Sequence, residues 1–369
     1  MKTERFSLLL VIRRAIGSAY DKAELWVYAK GFALMLAIFL CLPKRQRMSH
    51  NNGIAATGTL RIVDDPRFPG HAFFAPGKVY PCRIRHASVS LLDDAINDVR
   101  AISIKFSDQR MQSPFDIEMN TGAVSPFWSA LSFLKFASLR QEKWGVAYQN
   151  YNRLYPDGLK GNIAGGRRHV SSFYNLRYYC MTPFLYVGND GIKRYAKYRV
   201  LPFKFKEEPE SGIDSDPSEW DWCNQRILPH ETRERNYLKY EYQDRVARKG
   251  AKYCMQIQTR QAQDDDDPEV FNNTVIWDQS DYPWQELAVI DIEKTLDWEE
   301  SLLTTFSVRN MPKTLGVLPA NSIYDYNSLN YMRAHSELAR RARLLSYKLF
   351  GLPPPIPDND NRNVSGWGE

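Results

Sequence analysis

The stretch SHNNGIAATGTLRIVDDPRFPG, residues 49–70, places a histidine directly ahead of a Gly-punctuated β-rich run. From Gly53 to Val63 apolar residues alternate with small or polar ones, the period of a strand with one buried face. The DDPRFPG segment that follows is turn chemistry. His50 therefore stands at the mouth of a strand, where the backbone can hold an imidazole in a fixed place.

Working outward, VYPCRIRHASVSL (79–91), RAISIKFSD (100–108) and KYCMQIQTRQ (252–261) read as further strands, and VIWDQSDYPWQELAVIDI (275–292) ends in one. Two β-rich runs, 173–187 and 193–205, flank Gly-Asn-Asp-Gly at 188–191, a hairpin signal. Residues 1–45, FWSALSFLKFASL (127–139) and the stretch 327–350 have helical composition or spacing. Many β-runs followed by helix predict an α+β fold, an antiparallel β-barrel or sheet flanked by helices. The expected organisation is an N-terminal helical and apolar segment (1–45), one large domain (46–352) and a polar tail (353–369).

Composition narrows the function. The 369 residues are 43% hydrophobic and 13% aromatic, enough for a sizeable core. The net charge of +6 suits an anionic ligand, but no long Lys/Arg tract with interleaved aromatics occurs, which argues against nucleic acid. Cys41, Cys82, Cys180, Cys223 and Cys254 form no C-x-x-C pair, so free thiols and an intracellular setting are expected rather than a zinc site. The Asp run at 264–267 reads as a solvated loop. Phosphate-loop, nucleophile-elbow and HExxH motifs are missing from the sequence. The final WGE carries no peroxisomal or reticulum address, and the N-terminus lacks a clear secretory signal.

The segment WVYAKGFALMLAIFLCLP (26–43) has two readings. Its uninterrupted apolar part, Gly31 to Leu42, is shorter than the ~20 residues that span a bilayer. It is either a buried helix leading into the domain or a peripheral membrane contact.

Several residues stand out for chemistry. Arg47 precedes His50 by three positions, Ser49 adjoins it, Arg85 lies in RIRHASV (83–89), and Asn120 lies in DIEMNTG (116–122). Two arginine-led repeats, Arg333-AHS-Glu337 and Arg343-LLS-Tyr347, follow near the C-terminus. A neutral imidazole can take and return a peroxide proton, and an amide can donate a hydrogen bond without titrating.

In this order the blocks resemble the heme site of the catalase superfamily: H-x-x-G-x-x-x-x-G at 50–58, RIRHASV, DIEMNTG, TVIWDQSDYPWQELAVIDI (274–292) and DYNS (325–328). HASV, MNTG and DYNS look most like the branch related to allene oxide synthase, which acts on fatty-acid hydroperoxides. The resemblance implies a catalase-like core holding ferric heme b, with His50 and Asn120 as distal residues and Arg47 and Arg85 on the propionates. Ser49 keeps the hydroxyl that this branch carries beside the distal histidine, where catalases have valine. Phe127, Trp128, Phe133 and Phe136 are candidates for the distal wall.

The resemblance also implies an anionic proximal ligand four residues after an arginine. Arg333 with Glu337 fits the spacing from DYNS; Arg343 with Tyr347 fits the R-L-F-S-Y string of catalases, ten residues later. Both stay open on sequence. The implied activity is cleavage and rearrangement of an apolar organic hydroperoxide, of dehydratase, lyase or isomerase type. A small catalase-like peroxidase, and a heme-free binding protein that has lost the iron ligand, are the alternatives. A homo-oligomer is left open.

Overall fold

The computed structural model describes residues 2–65, 67–89, 93–138, 150–213 and 231–358. Cys223, the ends of the strand expected at 79–91 and of the helix expected at 127–139, and the tail beyond 358 lie outside them.

Nine strands form the sheet: β1 (Gly53–Ile62), β2 (Val79–Ser88), β3 (Asp98–Lys105), β4 (Asp116–Thr121), β5 (Gly166–Arg167), β6 (Tyr178–Val187), β7 (Lys193–Pro202), β8 (Ala251–Gln261) and β9 (Gln285–Thr295). All pairings are antiparallel. β1 pairs with both β2 and β9, and β2 with β3, so eight strands close into a barrel and the two-residue β5 hangs from β3. Closure removes the free edges that an open sheet would expose.

Strand alternation divides the side chains. On β2, Cys82, Ile84 and His86 face the barrel core while Arg85 and Ala87 face outward onto a cavity. The interior is filled by large residues, among them the fully buried Tyr178, Tyr186, Tyr198 and Tyr253. Their hydroxyls need partners there: Tyr178 donates to the Phe173 carbonyl at 2.7 Å and Tyr253 to the Tyr242 hydroxyl at 3.0 Å. The hairpin expected around Gly-Asn-Asp-Gly joins β6 to β7, with Gly191 at φ 74°.

Helices pack outside. They are α1 (Lys2–Leu36), α2 (Ala130–Ser138), α3 (Pro156–Gly165), α4 (Tyr237–Lys249), α5 (Trp298–Leu303), α6 (Ser328–Ala334) and α7 (Glu337–Phe350). α1 runs into a π-helical turn, Ala37–Cys41. Leu25 and Ala29 pack with Ala130, Ile323 and Met332, and Ala37 and Cys41 with Ala339 and Ala342. The N-terminal segment is thus built into the domain from Leu25 onward. One helix over 327–350 was expected; the chain breaks at His335–Ser336 instead, so α6 and α7 are separate.

Two glycines of the opening stretch, Gly53 and Gly58, are required by close approach. A Cβ on Gly58 would collide with the Asp291 carbonyl, at the bulge where β1 shifts register against β9. One on Gly53 would meet the His86 carbonyl and the Arg85 guanidinium. Gly58→Ala should therefore destabilise the barrel by about 3 kcal/mol, the usual cost of overpacking. Denaturant unfolding checks this; a midpoint equal to wild type would show that the bulge can open to accept a side chain.

Candidate active site

A cavity of about 440 Å³ lies between the outer face of β2–β4, α1, α2 and the α6–α7 region. His50, Ser49, Arg47, Arg85, Asn120, Arg333 and Arg343 all line it. The volume falls in the range of small-molecule and cofactor sites.

The histidine is fixed by its own backbone. His50 adopts φ 62°, a left-handed conformation uncommon for a residue with a side chain. Its amide donates to the Val89 carbonyl at 3.2 Å, and its carbonyl accepts from Arg85 Nη1 at 2.9 Å. Arg85 also reaches the Asn51 carbonyl, at 3.2 Å. Asn51 clasps Arg47 in return: its Oδ1 accepts from the Arg47 amide at 2.7 Å and its Nδ2 donates to the Arg47 carbonyl at 3.0 Å. Ser49 Oγ lies 2.7 Å from His50 Nδ1, which sets the ring's orientation and leaves Nε2 with no hydrogen-bond partner among the described residues. Burial, followed by the charges of Arg85, Arg47 and Arg333, outweighs the opposing pull of Glu118 and lowers the His50 pKa to about 4. The imidazole is therefore neutral at neutral pH.

Asn120 comes from β4, opposite Ala101 of β3 and Tyr179 of β6. Its side chain lines the cavity and makes no hydrogen bond among the described residues, so its donors are available to a guest. Phe127, Phe133 and Phe136 line the same cavity and pack edge-on or tilted, with Phe127 centroids 5.3 Å from Phe133 and 5.1 Å from Phe136. Trp128 does not join them; it packs on Tyr155 instead.

Beside the histidine loop three guanidiniums converge. Arg47 Nη2 donates to the carbonyls of Leu302 and Thr304 at the C-terminal end of α5, at 3.1 and 2.7 Å. Arg343 Nη1 donates to Leu302 O at 3.1 Å and to the Tyr347 hydroxyl at 2.9 Å. Arg85 Nε reaches Ser301 Oγ at 3.3 Å. None of the three forms an ion pair among the described residues, and Arg47 Nε is buried with no partner. Burial and the charge of Arg343 push the Arg85 pKa down to about 10, and the same two causes, joined by Arg85, lower that of Arg47 further. Guanidiniums stay protonated, so these directions mark cations that need an anion. Such a cradle, beside an open apolar cavity, fits a cofactor that carries carboxylates.

The two candidate ligand positions part company. Arg333 pairs with Glu118 and donates to Asn330 Oδ1 at 2.9 Å. Glu337, across the helix break, is held by Arg340 and by Arg341 Nε at 2.8 Å, and lies off the cavity wall. The i, i+4 pairing of Arg333 with Glu337 expected on a continuous helix does not form, because the chain turns between them. Tyr347 is buried behind Arg343 and, like Glu337, is not itself part of the cavity lining.

Sequence reading missed one wall. Ala29, Phe32, Ala33 and Leu36 of α1 line the cavity. The signal was there in the four-residue spacing of Leu25, Ala29, Ala33, Ala37 and Cys41, all buried. Among the described residues no group of three or more His, Cys, Asp or Glu side chains could hold a metal ion.

No family model matches the chain. It is 34% identical over 307 residues to the allene oxide synthase-lipoxygenase protein of Plexaura homomalla, covering 82% of this chain and 28% of that protein. It is 28% identical over 261 residues to linolenate 9R-lipoxygenase of a Nostoc strain, covering 68% of this chain and 32% of that one. The chain thus spans less than a third of the length of these curated relatives. Among solved structures it is similar to catalase A from Saccharomyces cerevisiae, with a TM-score of 0.61 and 16% identity over 87% of this chain and 68% of the catalase. A fungal catalase gives a TM-score of 0.56, with 86% of this chain and 68% of that chain covered at 14% identity. These likenesses show the catalase-like fold.

The lowered pKa of His50 has a consequence for stability. An unfolded chain protonates this histidine near pH 6.5, the folded one only near 4. Between those values the unfolded state binds the extra proton, so stability falls as pH drops from about 6.5 toward 4 and levels off below. His86, lowered to about 3 by burial, adds to the same loss. Urea unfolding at pH 7 and pH 5 should show the decline, and His50→Gln should reduce it; a pH-independent midpoint would contradict a neutral buried His50.

Proposed function

The chain belongs to the catalase superfamily, on the branch related to allene oxide synthase, and from that premise we propose that it is a heme enzyme that cleaves and rearranges a fatty-acid or similar organic hydroperoxide. The observation that carries the reading is the guanidinium cradle of Arg47, Arg85 and Arg343, without an ion pair among the described residues, lining one cavity with His50 and Asn120. Arg47 and Arg85 would hold heme propionates by charge-assisted hydrogen bonds. Tyr347 would be the proximal ligand, with Arg343 stabilising its phenolate. Ferric heme supplies the Lewis-acidic, redox-active iron on which O–O bonds are broken.

The protein's own groups then do the rest. Neutral His50 would take the hydroperoxide proton through Nε2 and return it to the departing oxygen; a dehydration releases that oxygen as water with a second proton, which a carbon of the rearranging substrate loses. Ser49, bonded to Nδ1, holds the ring for this exchange. Asn120 donates a hydrogen bond to the peroxide oxygen without changing charge. The Phe127, Phe133 and Phe136 rings keep the remaining cavity apolar, suited to an acyl chain and to excluding water.

Purified protein reconstituted with hemin should show a Soret band near stoichiometric heme. Tyr347→Phe should lose or shift that band, whereas Glu337→Gln should leave it unchanged. His50→Ala should lower hydroperoxide turnover by about 10²–10⁴ while heme stays bound. Product analysis with a fatty-acid hydroperoxide should give a rearranged or dehydrated product rather than an alcohol. An alcohol formed together with an oxidised co-substrate would mean a peroxidase, and failure to take up heme would mean a binding protein.

A further inference from the structure

α1 and α7 each leave one face uncovered. On α1 and the π-helical turn that continues it, Trp26, Val27, Leu34, Ile38 and Phe39 are exposed, Phe39 at 68%, opposite the buried row that begins at Leu25. On α7, Leu338, Leu345, Leu349 and Phe350 are exposed, Phe350 at 65%. The two faces flank one seam. Ala37 and Cys41 pack on Ala339 and Ala342, and the Arg45 guanidinium donates to the Phe350 and Gly351 carbonyls at 2.9 and 3.0 Å. So many large apolar side chains beside one seam are unlike the scattered exposure normal on a soluble surface.

Charge and aromatic placement select the occupant. Exposed Lys30, Lys44, Arg341 and Lys348 interleave with these apolar residues, and Trp26 and Tyr28 sit among them. Basic residues beside an apolar face with Trp and Tyr are the pattern of a helix lying in a membrane interface. A second copy of the chain would set this basic face against an equally basic one. A transmembrane span is disfavoured as well. Ala15–Cys41 is long and apolar enough by composition. Yet a span would have to strip Ala29, Phe32, Ala33 and Leu36 from the cavity wall, and would carry Lys30 into lipid.

We propose that the outer faces of α1 and α7 form an in-plane docking surface for an anionic lipid bilayer, which sets the α1 wall of the cavity against the apolar layer. Given the proposed lipid substrate, this would let an acyl chain reach the cavity without crossing water. Docking itself stands independently of that reading.

The test is cosedimentation of the purified full chain with phosphatidylcholine vesicles, with and without phosphatidylglycerol. Binding should require the anionic lipid, weaken with added salt, and be released by alkaline carbonate. Phe39→Glu and Leu349→Glu, both off the cavity wall, should each reduce binding at least tenfold. Lys44→Gln and Lys348→Gln should each cost about fivefold. Heme content and melting temperature of these variants should match wild type, so a failure to bind heme and a failure to dock are read separately. Absence of vesicle binding, equal binding to neutral vesicles, carbonate-resistant insertion, or a stable dimer whose interface contains Phe39 would each overturn the proposal.

Discussion

The convergence of Arg47, Arg85 and Arg343 organises this molecule. The three come from the loop before β1, from β2 and from α7, which lie far apart in sequence, and Arg47 and Arg343 share the Leu302 carbonyl near the end of α5. Each also performs a structural task. Arg85 holds the carbonyls of His50 and Asn51, Arg47 closes the loop through Asn51, and Arg343 anchors the hydroxyl of Tyr347. Placing three cations together without a carboxylate is costly in the isolated chain. The barrel strands, the short α5 and the C-terminal helix over-determine their positions, and so the cost is borne as an unmet demand for an anion.

Much of this was legible in residue order. The alternation after Gly53, the hairpin around Gly188–Gly191 and the late helices follow from local chemistry, and they suffice for an antiparallel barrel with helices outside. His50, Asn120, Arg47 and Arg85 could be named because the blocks that carry them resemble the heme site of the catalase superfamily, and alternation along the strands then sets the face that Asn120 and Arg85 take. The C-terminal repeats were harder. Arg333-AHS-Glu337 and Arg343-LLS-Tyr347 have equal spacing, so local pattern alone cannot separate them. The break at His335–Ser336, a tertiary event, gives the two different surroundings: Glu337 turns toward Arg340 and Arg341, and Tyr347 is buried beside Arg343.

The N-terminal helix shows the opposite failure. Its apolar composition was plain, but composition does not tell a core helix from a membrane one. The deciding signal is periodic: small residues every four positions, Ala29, Ala33, Ala37 and Cys41, give a flat stripe on which α6 and α7 can pack closely. The bulky residues are displaced to the other side. α1 is thus not wholly core; one face completes the cavity and the other carries exposed large apolar residues.

Burial does most to hold the His50 imidazole neutral, and the cations that demand an anion add to it. Arg85, Arg47 and Arg333 lower its pKa further, and Glu118, held by Arg333, is the counterweight. An anion bound on Arg47 and Arg85 would offset their share alone and leave the effect of burial in place. The Arg85 side chain, bonded to the His50 carbonyl, is the physical link between the histidine and the guanidinium cradle.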